Sequence, residues 1–166
     1  MSLAEKYPEE VQAIFAKYPI KRSAVMPLLY LAQREETYIT KESMQDIAHL
    51  LDLTVTEVAS IVGFYSLYHD EKAGKYRMQV CTDLPCALRG ADAFLNNLCG
   101  NLGVKVGETT PDGLVTVEAV MCLAACDKAP MFQLQHGDEV HYHENMTVDR
   151  TLELIEALKK ADVEVK

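Results

Sequence analysis

Apolar residues recur at helical spacing through the first seventy positions of the chain. Val11, Ile14, Phe15 and Tyr18 fall at i, i+3, i+4 and i+7, one face of a helix that Pro8 opens and Pro19 closes. A second helix is predicted from Ala24 to Arg34, with Leu28, Leu29, Tyr30 and Leu31; Pro27 leaves its start open by a turn. Thr40 precedes a third, which carries Met44, Ile47, Ala48 and Leu51 on one face. Thr54-x-x-Glu57 has the capping-box pattern and opens a fourth, with Val58, Ile61 and Val62. Each stripe is a core-forming surface.

Past Asp70 the period changes. Glu71 to Lys75 is a polar connector containing Gly74, and Tyr76 to Val80 then alternates as a strand that leads into Cys81. Leu88, Ala91, Leu95, Leu98 and Leu102 are spaced by three and four, which predicts one helix from Pro85 to Leu102 with Gly103 as its stop. Asp112-Gly113 marks a turn before a β-rich run from Leu114 to Val120. Met131 to Gln135 and Val140 to His143 pair as a hairpin around His136-Gly137-Asp138. Thr147 caps a last helix, with Val148, Leu152, Ile155 and Leu158 facing inward. The expected fold class is α+β: a helical N-terminal domain over residues 1–72, then a small α/β domain with a mixed sheet over residues 73–166.

Composition narrows the function classes. Nearly half of the 166 residues are apolar, so a core forms without disulfide staples. The formal charge of −9, from 25 acidic and 16 basic residues, argues against nucleic-acid binding and against anionic lipid surfaces. No run of 18 apolar residues exists, so no membrane insertion is expected. The opening MSLAEKYPEEVQ lacks the apolar stretch of a secretory signal. Five cysteines in such a chain point to metal or redox chemistry ahead of structural disulfides.

Four of them form a pattern: Cys81-x4-Cys86, then 35 residues, then Cys122-x3-Cys126. Both pairs follow predicted strands, whose ends can converge in one loop region. A [2Fe–2S] centre takes four thiolates, two per iron, and two such pairs supply that set. Predicted at the start of a long helix, Pro85-Cys86 would bring free N–H groups and a positive dipole end toward the cluster. Arg89, in the first turn, is read as a solvated side chain or as an added cation. Four-cysteine zinc, two disulfides, or four unrelated buried thiols are the competing readings. Cys99, four residues after Leu95 on an apolar face, reads as core. His141-x-His143 reads as a surface strand face, and Asn145-Met146-Thr147 as the helix cap. There is no glycine-rich nucleotide loop, so flavin or nicotinamide chemistry would require another polypeptide.

The stretches Val80-Cys81-Thr82-Asp83-Leu84-Pro85-Cys86, Thr110 to Glu118 and Cys122-Leu123-Ala124-Ala125-Cys126-Asp127-Lys128-Ala129-Pro130 resemble the thioredoxin-like [2Fe-2S] ferredoxin subunit (E type) of NADH:quinone oxidoreductase, respiratory complex I. Met26-Pro27-Leu28-Leu29 and Gly63-Phe64-Tyr65-Ser66 extend the resemblance into the N-terminal helices. Ala124 departs from it, the family commonly having glycine there. The resemblance implies a thioredoxin-like second domain with Cys81, Cys86, Cys122 and Cys126 as cluster ligands and no catalytic residue on this chain. It also implies a flavoprotein partner that binds FMN and NADH, further iron–sulfur subunits, and a cytoplasmic place peripheral to the inner membrane. NAD-linked hydrogenases and formate dehydrogenases reuse the same pairing. Phe64, Tyr65 and Tyr68 are candidate partner contacts. A zinc-stabilised interaction module and a free-standing ferredoxin are the alternatives from other classes.

Overall fold

Local capping signals set where three of the helices of the first seventy residues begin. In the computed structural model, which describes residues 2–137 and 139–164, the chain divides into two compact units, Met1–Lys72 and Ala73–Lys166. The first opens with a short helix that the apolar pattern does not reveal, α1 (Leu3–Lys6), held by a capping box between Ser2 and Glu5. Helix α2 (Pro8–Ala16) carries its proline in the first turn, where a missing N–H is harmless. It stops two residues short of Tyr18, which is therefore exposed and off the buried stripe. Helix α3 (Val25–Glu36) follows a 3-10 turn over Lys21–Ala24 and likewise takes Pro27 into its first turn.

Thr40 caps α4 (Lys41–Leu51), its side chain accepting from the Ser43 amide at 3.1 Å, and the four predicted inward residues are all buried. Helix α5 (Val55–Phe64) has the Thr54–Glu57 box in place. Leu28, Leu29, Ile39, Ile47 and Val58 are fully enclosed and form the centre of this core. Burying each such side chain contributes about 1.5–3 kcal/mol. Among the described residues no single helix is long and apolar enough to cross a membrane.

In the second unit, β1 (Tyr76–Cys81), β2 (Val115–Val120), β3 (Phe132–His136) and β4 (Glu139–His143) form one sheet in the order β2-β1-β3-β4. β1 and β2 run parallel; the other two pairings are antiparallel. The fold class is α+β, with the small mixed sheet expected. Met78, Val80, Val115, Val117, Phe132 and Leu134 share one sheet face and pack with Phe94, Leu95 and Leu98 and with Ile155. The other face is polar: Glu118 pairs with Arg77 and accepts from Gln79 Nε2 at 2.9 Å, and Gln133 in turn donates to Gln79. Alternation along each strand separates the two faces.

The single helix predicted over Pro85–Leu102 is two helices, α6 (Leu84–Leu88) and α7 (Ala91–Leu102). Gly90 stands between them at φ 93°, a left-handed conformation that glycine adopts without penalty. The change of direction turns Leu88 outward, to 80% exposure, although its spacing had placed it on the core face. Gly103, at φ 68°, ends α7 as expected. The β3–β4 hairpin forms with Gly137 in its turn, while His136 is the last residue of β3, paired with Glu139; Asp138, also predicted in the turn, lies outside the described residues. Helix α8 (Val148–Glu164) closes the unit, with Thr147 Oγ1 accepting from the Arg150 amide at 3.3 Å.

Candidate metal centre

Strand order brings the two cysteine pairs to one end of the sheet. In the parallel register of β1 and β2, Cys81 lies opposite Val120, so the chain leaves for Cys86 and for Cys122 from the same end. β3 runs against β1 with Val80 opposite Phe132, so the segment returning from Cys126 also enters there. Two backbone bonds fix the junction. The Cys81 amide donates to the Met131 carbonyl at 3.3 Å, and the Thr82 amide to the Val120 carbonyl at 2.9 Å.

Cys81 and Cys86 are 1% and 0% exposed and share a buried cluster with Ala91, Ala125, Ala129 and Met131. Leu123 and Cys126 pack against it, partly buried. All the cysteines are free thiols. Burial pushes the Cys86 thiol up to about 12, and the neighbouring Cys81 and Cys126 push in the same direction. Cys81 and Cys126 thus lie close enough to Cys86 to act on its thiol, and three sulfurs meet here. Soft thiolate donors gathered this way suit iron–sulfur ligation, so the residues fit the group.

Cys122 is exposed, and among the described residues no group of three or more His, Cys, Asp or Glu side chains is drawn tightly enough to hold a metal ion as it stands. Between Cys122 and Cys126, Ala124 sits at φ 57°, where a Cβ is strained. The helix-dipole expectation fails. The break at Gly90 leaves α6 with five residues, and its first amides are already used. Leu84 N–H donates to the Asp83 side chain, while those of Cys86 and Ala87 both donate to the Asp83 carbonyl at 2.9 Å.

With three thiols converging beside a mixed sheet, residues 11–159 match the family model described as thioredoxin-like [2Fe-2S] ferredoxin. The chain belongs to that family. It is 38% identical over 154 residues to the E-type subunit numbered 2 of NADH-quinone oxidoreductase from Rhizobium meliloti, covering 93% of this chain and 89% of the relative. It is 44% identical over 126 residues to NADH-quinone oxidoreductase subunit 2 of Thermus thermophilus, covering 75% and 70%. Against the E-type subunit of NADH-quinone oxidoreductase from Mycobacterium bovis identity is 37%, and the chain spans 62% of that relative's length. Among solved structures, an NAD+-reducing [NiFe]-hydrogenase in the H2-reduced state superposes with a TM-score of 0.65 at 19% identity, covering 80% of this chain and 22% of that one. That likeness is one of fold.

The remaining candidates in this ferredoxin chain divide cleanly. Cys99 is buried on the core face of α7 beside Leu95 and Leu98, and burial raises its thiol, so it packs as predicted. His141 is exposed, while His143 stacks on Phe132 with ring centroids 5.0 Å apart. Burial, then the neighbouring His141, hold the His143 imidazole below its ordinary range. Tyr68 is buried, with its hydroxyl donating to the Met26 carbonyl at 3.1 Å, so packing accounts for it. Phe64 is 80% exposed and Tyr65 stands beside it at 5.1 Å between centroids. Arg89 is not in a first turn. It caps the end of α6, and its Nε donates to the Ala129 carbonyl at 3.3 Å, a contact across forty residues of chain that no sequence pattern announced.

Proposed function

We propose that this chain is an electron-transfer subunit of an NADH:quinone oxidoreductase of the complex I type, carrying one [2Fe-2S] cluster on Cys81, Cys86, Cys122 and Cys126. The observation that carries the reading is the meeting of Cys81, Cys86 and Cys126, all free thiols, at the shared end of β1 and β2. Similarity over most of the chain to E-type subunits of NADH-quinone oxidoreductases supports the assignment to such a complex.

When bound, the cluster supplies reversible one-electron chemistry. The protein's part is to hold and shield it. Cys81 is fixed by the sheet, Cys86 by α6, and Ala91, Ala129 and Met131 exclude water from their side. Cys122 and Cys126 complete the donor set from the loop after β2. The chain has no substrate site of its own in this reading. Its electrons are exchanged with the FMN of an NADH-binding flavoprotein partner, and further iron–sulfur subunits complete the assembly. Phe64 and Tyr65 are partner contacts, and the chain reaches the membrane only through the complex.

The test is anaerobic purification followed by iron and sulfide analysis and EPR after dithionite reduction. Two irons and two sulfides per chain with a rhombic signal are expected, and Cys99→Ser retains that spectrum. A colourless protein with stoichiometric zinc overturns the redox reading. Co-purification with an FMN polypeptide distinguishes a fixed subunit from a free carrier.

A further inference from the structure

Arg89 is bonded to both cysteine-bearing segments. Its amide donates to the Cys86 carbonyl at 3.1 Å, and its Nε donates to the Ala129 carbonyl at 3.3 Å. Ala129 in turn donates its own amide to the Cys126 carbonyl at 3.5 Å. A single residue thus closes a path from Cys86, through its own side chain, to Cys126. Ala129 belongs to the buried cluster that contains Cys81 and Cys86, and the exposed Arg89 reaches its carbonyl from the solvent side.

Its charge also stands apart from the ion pairs of the described residues. Lys128, the other cation in this stretch, is paired with Glu144 at 2.9 Å. Among the described residues Arg89 forms no ion pair. The side chain is exposed, so any field it exerts on the thiols acts partly through solvent. Helix α6 is short and its first amides are already used, so its end brings no free donors to this side of the thiols.

We propose that Arg89 is a positioning residue that fastens the Cys86 segment to the Cys126 segment and supplies the fixed positive charge favouring an added electron between them. The proposal rests on the reading of the four cysteines as cluster ligands. Gaining an electron adds one negative charge to the centre, so a nearby fixed cation stabilises the reduced form more than the oxidised one.

The experiment compares the full chain, purified anaerobically with its cluster, with Arg89→Lys, Arg89→Gln and Arg89→Ala. Three quantities are read: iron and sulfide content, resistance of the cluster to a chelator, and the midpoint of an EPR-monitored redox titration. Arg89→Gln keeps a donor for Ala129 but no charge. It is expected to hold iron and to disfavour the reduced form about tenfold, about 59 mV for a one-electron couple. Arg89→Lys should titrate close to the unsubstituted chain, a rescue that a purely structural role does not predict. Arg89→Ala should show the same fall in midpoint and lose iron fastest. Unsubstituted midpoints and chelator resistance in both Arg89→Gln and Arg89→Ala overturn the proposal. An unsubstituted chain without iron and sulfide overturns the ligand reading instead. In that protein, diamide-driven disulfide closure between Cys86 and Cys126 becomes the measure: slower closure in Arg89→Ala supports the fastening, and equal rates overturn it.

Discussion

The segment from Cys81 to Cys86 and the segment from Cys122 to Cys126 carry equal numbers of thiols but are built by different means. The first is a strand end followed by a helix, and its backbone groups are satisfied by the sheet and by Asp83. Both of its sulfurs are buried. The second is a loop that runs from an exposed Cys122 through the strained Ala124 to a 3-10 turn over Cys126–Lys128. Its far side is pinned by Lys128 N–H to the Ala125 carbonyl at 3.1 Å, by Asn145 N–H to the Lys128 carbonyl at 2.7 Å and by Arg89 on Ala129. The difference teaches that three of the four donors meet by folding alone, because ladder hydrogen bonds and core packing hold them. Cys122 alone stands exposed, and bringing it in is work that ligand binding has to do.

Serine substitutions test that contrast most strongly. Cys86→Ser should abolish iron and sulfide binding and also lower the stability of the cluster-free chain by about 1–3 kcal/mol, because a hydroxyl takes a fully buried place. Cys122→Ser should perturb or abolish the cluster while changing cluster-free stability by less than about 0.5 kcal/mol, as exposed substitutions do. Thermal unfolding of the metal-free variants decides. Equal losses would mean that the two segments are equally built in.

Gly90→Ala comes next. It has open space for a Cβ, so the penalty is the left-handed backbone alone, about 1–2 kcal/mol. The variant should unfold earlier in denaturant, with an unchanged slope against denaturant concentration. Ala124→Gly acts in the opposite sense on the second segment. Relief of the strain at φ 57° is offset in part by the greater unfolded freedom of glycine, leaving a gain of up to about 1 kcal/mol. A loss of stability in a urea titration would show that the loop is held by something other than its backbone.

The smallest effect is a pH dependence where the second segment returns to the sheet. Phe132 and His143 are register partners, and burial first, then His141, depress the His143 imidazole. The unfolded chain therefore binds this proton more readily than the folded one. The stabilisation is fully present above the ordinary imidazole value of about 6.5 and is lost as pH falls through the depressed folded value. The thermal midpoint should drop between neutral and mildly acidic pH, and His143→Asn should flatten that slope. An unchanged slope would remove His143 from the account.

Much of this was legible in local pattern. The caps at Thr40, Thr54 and Thr147 read correctly because each is settled by a hydroxyl and an amide three residues away. The inward residues of α4 did so because one continuous helix keeps its period. The pattern failed where continuity failed. Leu88 keeps its three-and-four spacing to Leu95 and Leu98, yet Gly90 rotates one part of the segment against the other. Tyr18 fell off its stripe because α2 ends at Ala16. Ser2-x-x-Glu5 did carry a capping signal for α1, but a four-residue helix has too little apolar period to draw notice.

The cysteine spacing by itself determined which sulfurs to consider and which to leave in the core, because ligand sets and apolar stripes are written in residue order. Tertiary structure decided which of them meet. Only the pairing of β2 with β1 and of β1 with β3 brings positions forty residues apart to one end of a sheet, and only packing against Ala91, Ala125, Ala129 and Met131 encloses Cys81 and Cys86 while Cys122 faces water. Spacing is a local property of the chain, whereas convergence and enclosure depend on contacts among segments that the order of residues leaves unspecified.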